Sequence, residues 1–488
     1  MDNVPVPCDR DRILRRSITG ISMTQPSLKW RDRASMTEAM LPDDIVTAFK
    51  SGFRGNLIGP ADAEYDAARR LWNAGIDRYP GLIARCADTQ DVAAAVRLAR
   101  RHRIPLAIKG GGHGVTGWAL CDGGLVIDMS AMNRVVMHPE TGMVVAGAGA
   151  RVGDLSTVTS AFGRAVPMGA HSRVGIAGLT SGGGIGWLSR RYGLACDNLM
   201  SCEIVTADGA SIVADAQANP DLFWGVRGGA GNFGVMTTLV FQSHPVDRVL
   251  GGIVLFPRSE ATHVLRQYRA FMQTAPDTLT AYAALMSTPD GVPAVAVMVC
   301  HCGSPEDAMR DVAPIRAFAT PLVDTIAPMP FDVMQRIADA GSPDGFRNRI
   351  QSALMPELTD DAIAQLVGHA ERAPSPFCMT LVQCLGGAIA RTPLDATAFP
   401  HRHAAYNIGI EARWTDAEDD ATYAAWTAAF ADALRPYSAA TQLVNFLGDD
   451  SADAICNAFG PHYGRLQQLK RQYDPTNLFL RCANIRPG

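Results

Sequence analysis

Lys109-Gly110-Gly111-Gly112-His113-Gly114 decides the reading of this chain. It follows Ile104-Pro105-Leu106-Ala107-Ile108, an apolar run that reads as a short strand. Three consecutive glycines let the backbone take φ > 0 and come close to a ligand. Successive amide N–H groups in such a turn form a nest for an anion. An imidazole fixed there is placed to touch a phosphate-bearing cofactor, or to be bonded to it. Lys109 to Gly114, with Gly117 just beyond, are therefore candidate cofactor contacts.

Two further glycine belts follow, Gly169 to Gly186 and Gly228 to Gly234. One belt is ordinary turn chemistry; three point to several loops closing around one long ligand. None is a Rossmann fingerprint. Gly147-Ala148-Gly149-Ala150-Arg151-Val152-Gly153 has one residue too many between its second and third glycines. It also lacks the acidic residue that Rossmann sites place about 20 residues on. Gly229-Ala230-Gly231-Asn232-Phe233-Gly234 fits the spacing, but a β-type run, Val235 to Phe241, follows it where a helix is needed. Gly182-Gly183-Gly184-Ile185-Gly186 also lacks the strand-before, helix-after frame.

The totals bound the rest. The chain has 488 residues, 47% hydrophobic and 19% charged, enough for several domains with large cores. A net charge of −4 argues against nucleic acid as a partner. Eleven cysteines, an odd number at irregular spacing, suit a reducing compartment, and we expect a cytoplasmic protein. No apolar run reaches the roughly 20 residues that span a bilayer. The first 40 or so residues read as a loose leader without a secretory apolar core, and Met23 is an alternative start. Cys300-His301-Cys302 is too tightly spaced for a zinc hook and follows the apolar run Val295–Val299, so it reads as a strand end, with no metal expected.

The element pattern is α+β. Strands are expected at 81–86, 104–108, 124–128, 142–147, 202–207 and 235–241, with helices from Thr89 (as cap) to Arg101, from Asp154 to Ala161 and from Asp221 to Val226. Past residue 250, strands near 251–256, 278–286 and 292–300 alternate with helices at 260–274, 305–317 and 359–370. That pattern suggests one sheet covered on one side.

Taken together, the motifs resemble the p-cresol methylhydroxylase-type FAD-binding domain, in its berberine-bridge-enzyme-like branch of oxidases. The resemblance rests on Pro105–Gly117, Val174 to Leu188, Arg191 to Asn198, Asp221 to Val235, and the C-terminal Tyr473-Asp474-Pro475-Thr476-Asn477 and Asn484-Ile485-Arg486-Pro487. It implies a two-subdomain FAD-binding domain over 41–250 and an α+β substrate-binding domain over 251–435, an antiparallel sheet covered by helices. Residues 436–488 would return to the first domain.

The resemblance also implies FAD bonded through its 8α-methyl to His113, which raises the flavin's potential. Many members add a second bond from a cysteine where this chain has His171. A single link follows, as in hydroxynicotine-oxidase-like members, with His171 as a wall of the site. Gly175, Gly178, Leu179, Thr180, Gly182, Gly183, Gly184, Gly186, Asn198, Gly234, Val235 and Asn484 are the further implied cofactor contacts. The residue before the glycine equivalent to Gly175 governs oxygen access in this branch, and Val174 is of the permissive kind.

Two departures bear on catalysis. Leu443-Val444-Asn445 stands where many relatives have Tyr-x-Asn, leaving Asn445 as the active-site candidate. Gly409 falls where relatives carry glutamine or glutamate, while strand alternation puts Asn407, Gly409 and Glu411 on one face. Glu411 is therefore the candidate base or substrate anchor; burial there would raise its pKa. The expected chemistry is oxidation of a small alcohol, amine or secondary metabolite, with O2 as acceptor, giving H2O2, by a monomer or homodimer. A dehydrogenase with another acceptor, an oxygenating tailoring enzyme, and a flavin-binding protein without turnover stay open.

Overall fold

The structure, a computed structural model, describes residues 41–439, 441–448 and 451–488. The leader expected over 1–40 lies outside the described residues. Three sheets carry the fold. The first has four strands in the order Asn56–Ile58, Leu82–Arg85, Leu125–Asp128, Leu106–Lys109. The last three run parallel. The second has five antiparallel strands, ordered Val135–His138, Met143–Gly147, Val235–Gln242, Leu199–Val205, Ser211–Asp215. The helix Thr89–His102 touches both sheets and buries Val92, Ala95, Val96 and Ala99 between them. Its cap is Asp88 and not Thr89: Asp88 is extended, and its carboxylate accepts from the N–H groups of Gln90 and Asp91.

The third sheet is antiparallel and has eight strands. Its order begins Val323–Asp324, Arg248–Pro257, Pro293–His301, Leu279–Ser287, and ends Met379–Cys384, Tyr406–Trp414, Arg347–Met355; Ala327–Pro330 also pairs with Arg248–Pro257. Helices Ala261–Met272, Pro305–Val312, Asp360–Glu371 and Asp420–Leu434 carry the apolar residues that cover one face. The other face turns toward the glycine belts. His301 ends its strand as expected, bonded to Thr278 and Asp311.

The C-terminal segment is held to the first two sheets by a buried polar hub. The Lys470 ammonium donates to Asp474 (2.7 Å), to the Asn232 carbonyl (3.0 Å) and to the Phe479 carbonyl (3.1 Å). Asn232 in turn donates to the Ala483 carbonyl and accepts from the Ile485 N–H. Buried ions persist only when paired and fully hydrogen-bonded, so this hub explains why the motifs around 232 and 474 occur in one chain. Among the described residues, no helix is long and apolar enough to cross a membrane.

Candidate active site

A cavity of about 380 Å³ lies between the glycine belts and the bare face of the eight-stranded sheet. Its floor is the turn at 110–114, the belt at 174–182 and the segment 230–236, and its roof comes from strands Met379–Cys384 and Tyr406–Trp414. The strand Leu106–Lys109 ends where the glycines begin, and Gly112 takes φ +66°. The two main belts interlock at one point. A Cβ on Gly111 would sit 2.3 Å from the Gly175 nitrogen, and a Cβ on Gly175 would sit 2.3 Å from the Gly111 nitrogen. Main-chain bonds hold the second belt from behind: the Val152 N–H donates to the Val174 carbonyl (2.9 Å) and the Ile176 N–H to the Ala150 carbonyl (3.0 Å). At Gly114 and Gly178, which also line the cavity, a Cβ would meet nothing within 4 Å. Bare backbone beside open space is the fit that a large flavin nucleotide requires.

His113 faces this space. Its ring stacks on Trp72 at 4.3 Å with the planes 11° apart, and His171 lies on the other side at 6.3 Å. Its Nε2 is buried without a hydrogen-bond partner. Burial, followed by the nearby His171 and Arg173, pushes its pKa down to about 3, so the imidazole is neutral at physiological pH. Trp72 is itself fixed at two points: its main-chain N–H donates to the Gly112 carbonyl (3.1 Å) and its indole N–H to the Ser342 carbonyl (3.3 Å). Sequence reasoning missed Trp72; no motif surrounds it, and only the fold brings it to His113.

On the roof, alternation along Tyr406–Trp414 sorts the residues as expected. Tyr406, Ile408 and Ile410 enter the core beneath the helices, while Glu411 lines the cavity with Leu381 and Gln383 from the next strand. Asn407 donates to the Gln383 side chain at 2.7 Å. Sequence reasoning treats Glu411 as a lone carboxylate. The structure makes it half of a buried ion pair with Arg413, which also donates to the Gly341 carbonyl. Gly341 belongs to a segment that straps across to the floor: Asp339 accepts from the Ser172 N–H (2.9 Å), and Arg173 donates to the Asp344 carboxylate (3.0 Å).

Most expected cofactor contacts gather at the cavity: Gly110 to Gly114, His171, Val174, Gly175, Gly178, Leu179, Gly182, Gly184, Gly234 and Val235 line it, together with Asn445. The Asn445 amide donates to the Leu179 carbonyl (3.0 Å) and lies against Gly182. Others stand behind the lining. Lys109 donates to the Ala68 carbonyl, Gly117 packs on Ile76, Gly183 on Phe399, and Gly186 on the Met168 carbonyl. The Thr180 hydroxyl is buried and unpartnered, as is the Asn484 side-chain oxygen. Asn198 ties the Tyr192 and Leu194 carbonyls to His244.

Comparisons with known proteins agree with this arrangement. The FAD binding domain family matches residues 80–215, and the family described as berberine and berberine like matches residues 443–486. An FAD-linked oxidoreductase of Dictyostelium discoideum is 32% identical over 455 residues, covering 91% of this chain and 97% of that protein. The (R)-6-hydroxynicotine oxidase of Paenarthrobacter nicotinovorans is 31% identical over 450 residues, covering 89% and 97%. Among solved structures, 6-hydroxy-D-nicotine oxidase from Arthrobacter nicotinovorans superimposes with a TM-score of 0.83 at 28% identity, covering 90% of this chain and 99% of that one. Berberine bridge enzyme shares the fold, with a TM-score of 0.82 at 20% identity over 92% of this chain and 100% of that one.

Proposed function

Because this chain belongs to the berberine-bridge-enzyme-like family of FAD-linked oxidoreductases, we propose that it is an oxidase carrying a flavin bonded through His113 alone. The enzyme is an FAD-dependent oxidoreductase. Bound FAD supplies a two-electron acceptor for the substrate and passes the electrons on. The rest is the work of this chain's own side chains.

The observation that carries the proposal is the state of His113. Its ring is neutral, clamped by stacking, without a hydrogen bond, and set in a turn free of side chains. A neutral imidazole is a nucleophile; an imidazolium is not. His171, where bicovalent relatives place a cysteine, offers a second ring that walls the site. Val174 lies beside the belt junction and leaves room for O2, so H2O2 is the expected product. Glu411 anchors or deprotonates the substrate from the roof, with Arg413 as its counter-ion. Asn445 holds the Leu179 carbonyl and so keeps the second belt in place.

The division of the chain into an FAD-binding unit (41–250, completed by 436–488) and a substrate-binding unit (251–435) fits this reading. The similarity to nicotine oxidases favours a small molecule such as an alcohol, an amine or a secondary metabolite. The ten described cysteines are all free, which suits the cytoplasm. Acid precipitation with peroxide detection tests the proposal. Precipitated wild-type protein should stay yellow, His113→Ala should release its flavin, and a substrate screen in air should yield peroxide. A colourless wild-type precipitate refutes the linkage, and turnover without peroxide refutes the oxidase assignment.

A further inference from the structure

The charges around the cavity narrow the substrate class, an inference that rests on the oxidase reading above. Three charged side chains line the cavity among the described residues: Glu411, Arg413 and Arg481. Arg481 belongs to the C-terminal segment, next to Cys482, which lies beside Gly231. Near His113 and His171, charge on the lining is confined to Glu411 and Arg413, and these compensate each other. Both have lost almost all their water, at 4% and 5% exposure.

His171 lies within the field of that pair. Glu411, Arg413, Asp339 and Arg173 act on it, His113 faces it, and burial holds it neutral. It makes no hydrogen bond, and its Nδ1 is buried and unpartnered. Around this cluster the walls are apolar: Trp118, Ile350, Leu381, Leu443 and Phe446.

A charged substrate fits such a wall poorly. An ammonium group would lose its hydration beside Arg413, and the one nearby carboxylate is already engaged. A carboxylate would have to take Arg413 from Glu411. Either way a buried charge loses its partner, and that is costly. A hydroxyl group needs no counter-ion. It can donate to a free carboxylate lone pair of Glu411 or to an unprotonated nitrogen of His171, and it can accept from the guanidinium. We propose that the substrate binds uncharged, as a hydroxyl-bearing apolar molecule, an aromatic or alicyclic alcohol or a phenol. Its hydroxyl is recognised jointly by His171 and the Glu411–Arg413 pair.

Calorimetric titration of the holoenzyme at neutral pH with phenol, benzamidinium and benzoate tests this. These probes share one ring and differ in charge. Phenol should bind at least tenfold tighter than either ion. His171→Phe and His171→Gln bracket the imidazole. The first should lower phenol affinity at least tenfold while leaving benzene affinity unchanged; the second should restore part of the loss. Glu411→Gln leaves Arg413 uncompensated, so benzoate should overtake phenol. Equal or tighter binding of either ion by the wild type, failure of all three to bind, or a phenol-to-benzene ratio unmoved by His171→Phe overturns the proposal. Such a result with yellow, peroxide-forming protein would leave the oxidase reading intact, so the two can fail separately.

Discussion

Gly111→Ala tests the junction on which the whole cradle depends. The added methyl would lie 2.3 Å from the Gly175 nitrogen and 2.6 Å from its Cα, both main-chain atoms with no rotamer to escape into. Ordinary contact begins near 3.4 Å, so one belt must retreat from the other by about 1 Å. Overpacking of this kind costs about 1–3 kcal/mol. The displacement falls on the turn that carries His113, and an error of about 1 Å in a reacting geometry costs on the order of 100-fold in rate. The variant should therefore unfold at lower urea and attach flavin roughly 100-fold more slowly, read as acid-stable flavin absorbance against time after FAD is added to apoprotein. Gly178→Ala is the control. Its methyl meets nothing within 4 Å, and it lies inside the helix Ile176–Ser181, where alanine gains about 0.5–1 kcal/mol over glycine. Wild-type unfolding and wild-type attachment in Gly111→Ala would show that the belts do not interlock as described.

Three other outcomes follow from the same geometry. Val174→Leu should slow reoxidation of the reduced enzyme by O2 at least tenfold in stopped flow, with flavin content unchanged; an unaltered rate removes Val174 from oxygen access. Trp72→Leu removes the stacking partner that sets the plane of His113, so acid-stable flavin should accumulate more slowly while total FAD binding persists; equal rates would show that the ring needs no clamp. Acid should destabilise the flavin-free protein. Burial lowers the folded pKa of His113 to about 3, and of His244 and His401 to about 4, below the usual histidine value of about 6.5. The unfolded chain then binds protons that the folded chain refuses, so stability is full above about pH 6.5 and falls as the pH drops toward 4. His244→Gln keeps an N–H donor for Asn198 and should flatten the urea-midpoint profile between pH 7 and pH 4.5; an unchanged slope excludes that residue.

The chain by itself determined everything that depends on local backbone rules. Glycine is the residue that takes positive φ and permits main-chain contact, so the belts marked the cofactor floor before any coordinates were known. A period of two along Tyr406–Trp414 placed Glu411 opposite the helix-covered core because alternate strand residues face opposite sides. The helix Thr89–His102 was legible from its periodicity, though its cap was misplaced by one residue: Asp88 and Thr89 are both good caps, and only the extended backbone at 88 chooses between them. What the tertiary structure decided involves partners remote in sequence. Trp72 reaches His113 from another part of the chain, and the segment around Ser342 fixes its indole. Gly341 steadies Arg413, and Arg413 turns Glu411 from a lone acid into an ion pair. Asn198, bonded to His244, stands behind the wall where motif alone suggested a contact. Local pattern reports which way a residue faces; stacking, charge pairing and the choice of wall depend on what the other elements bring to meet it.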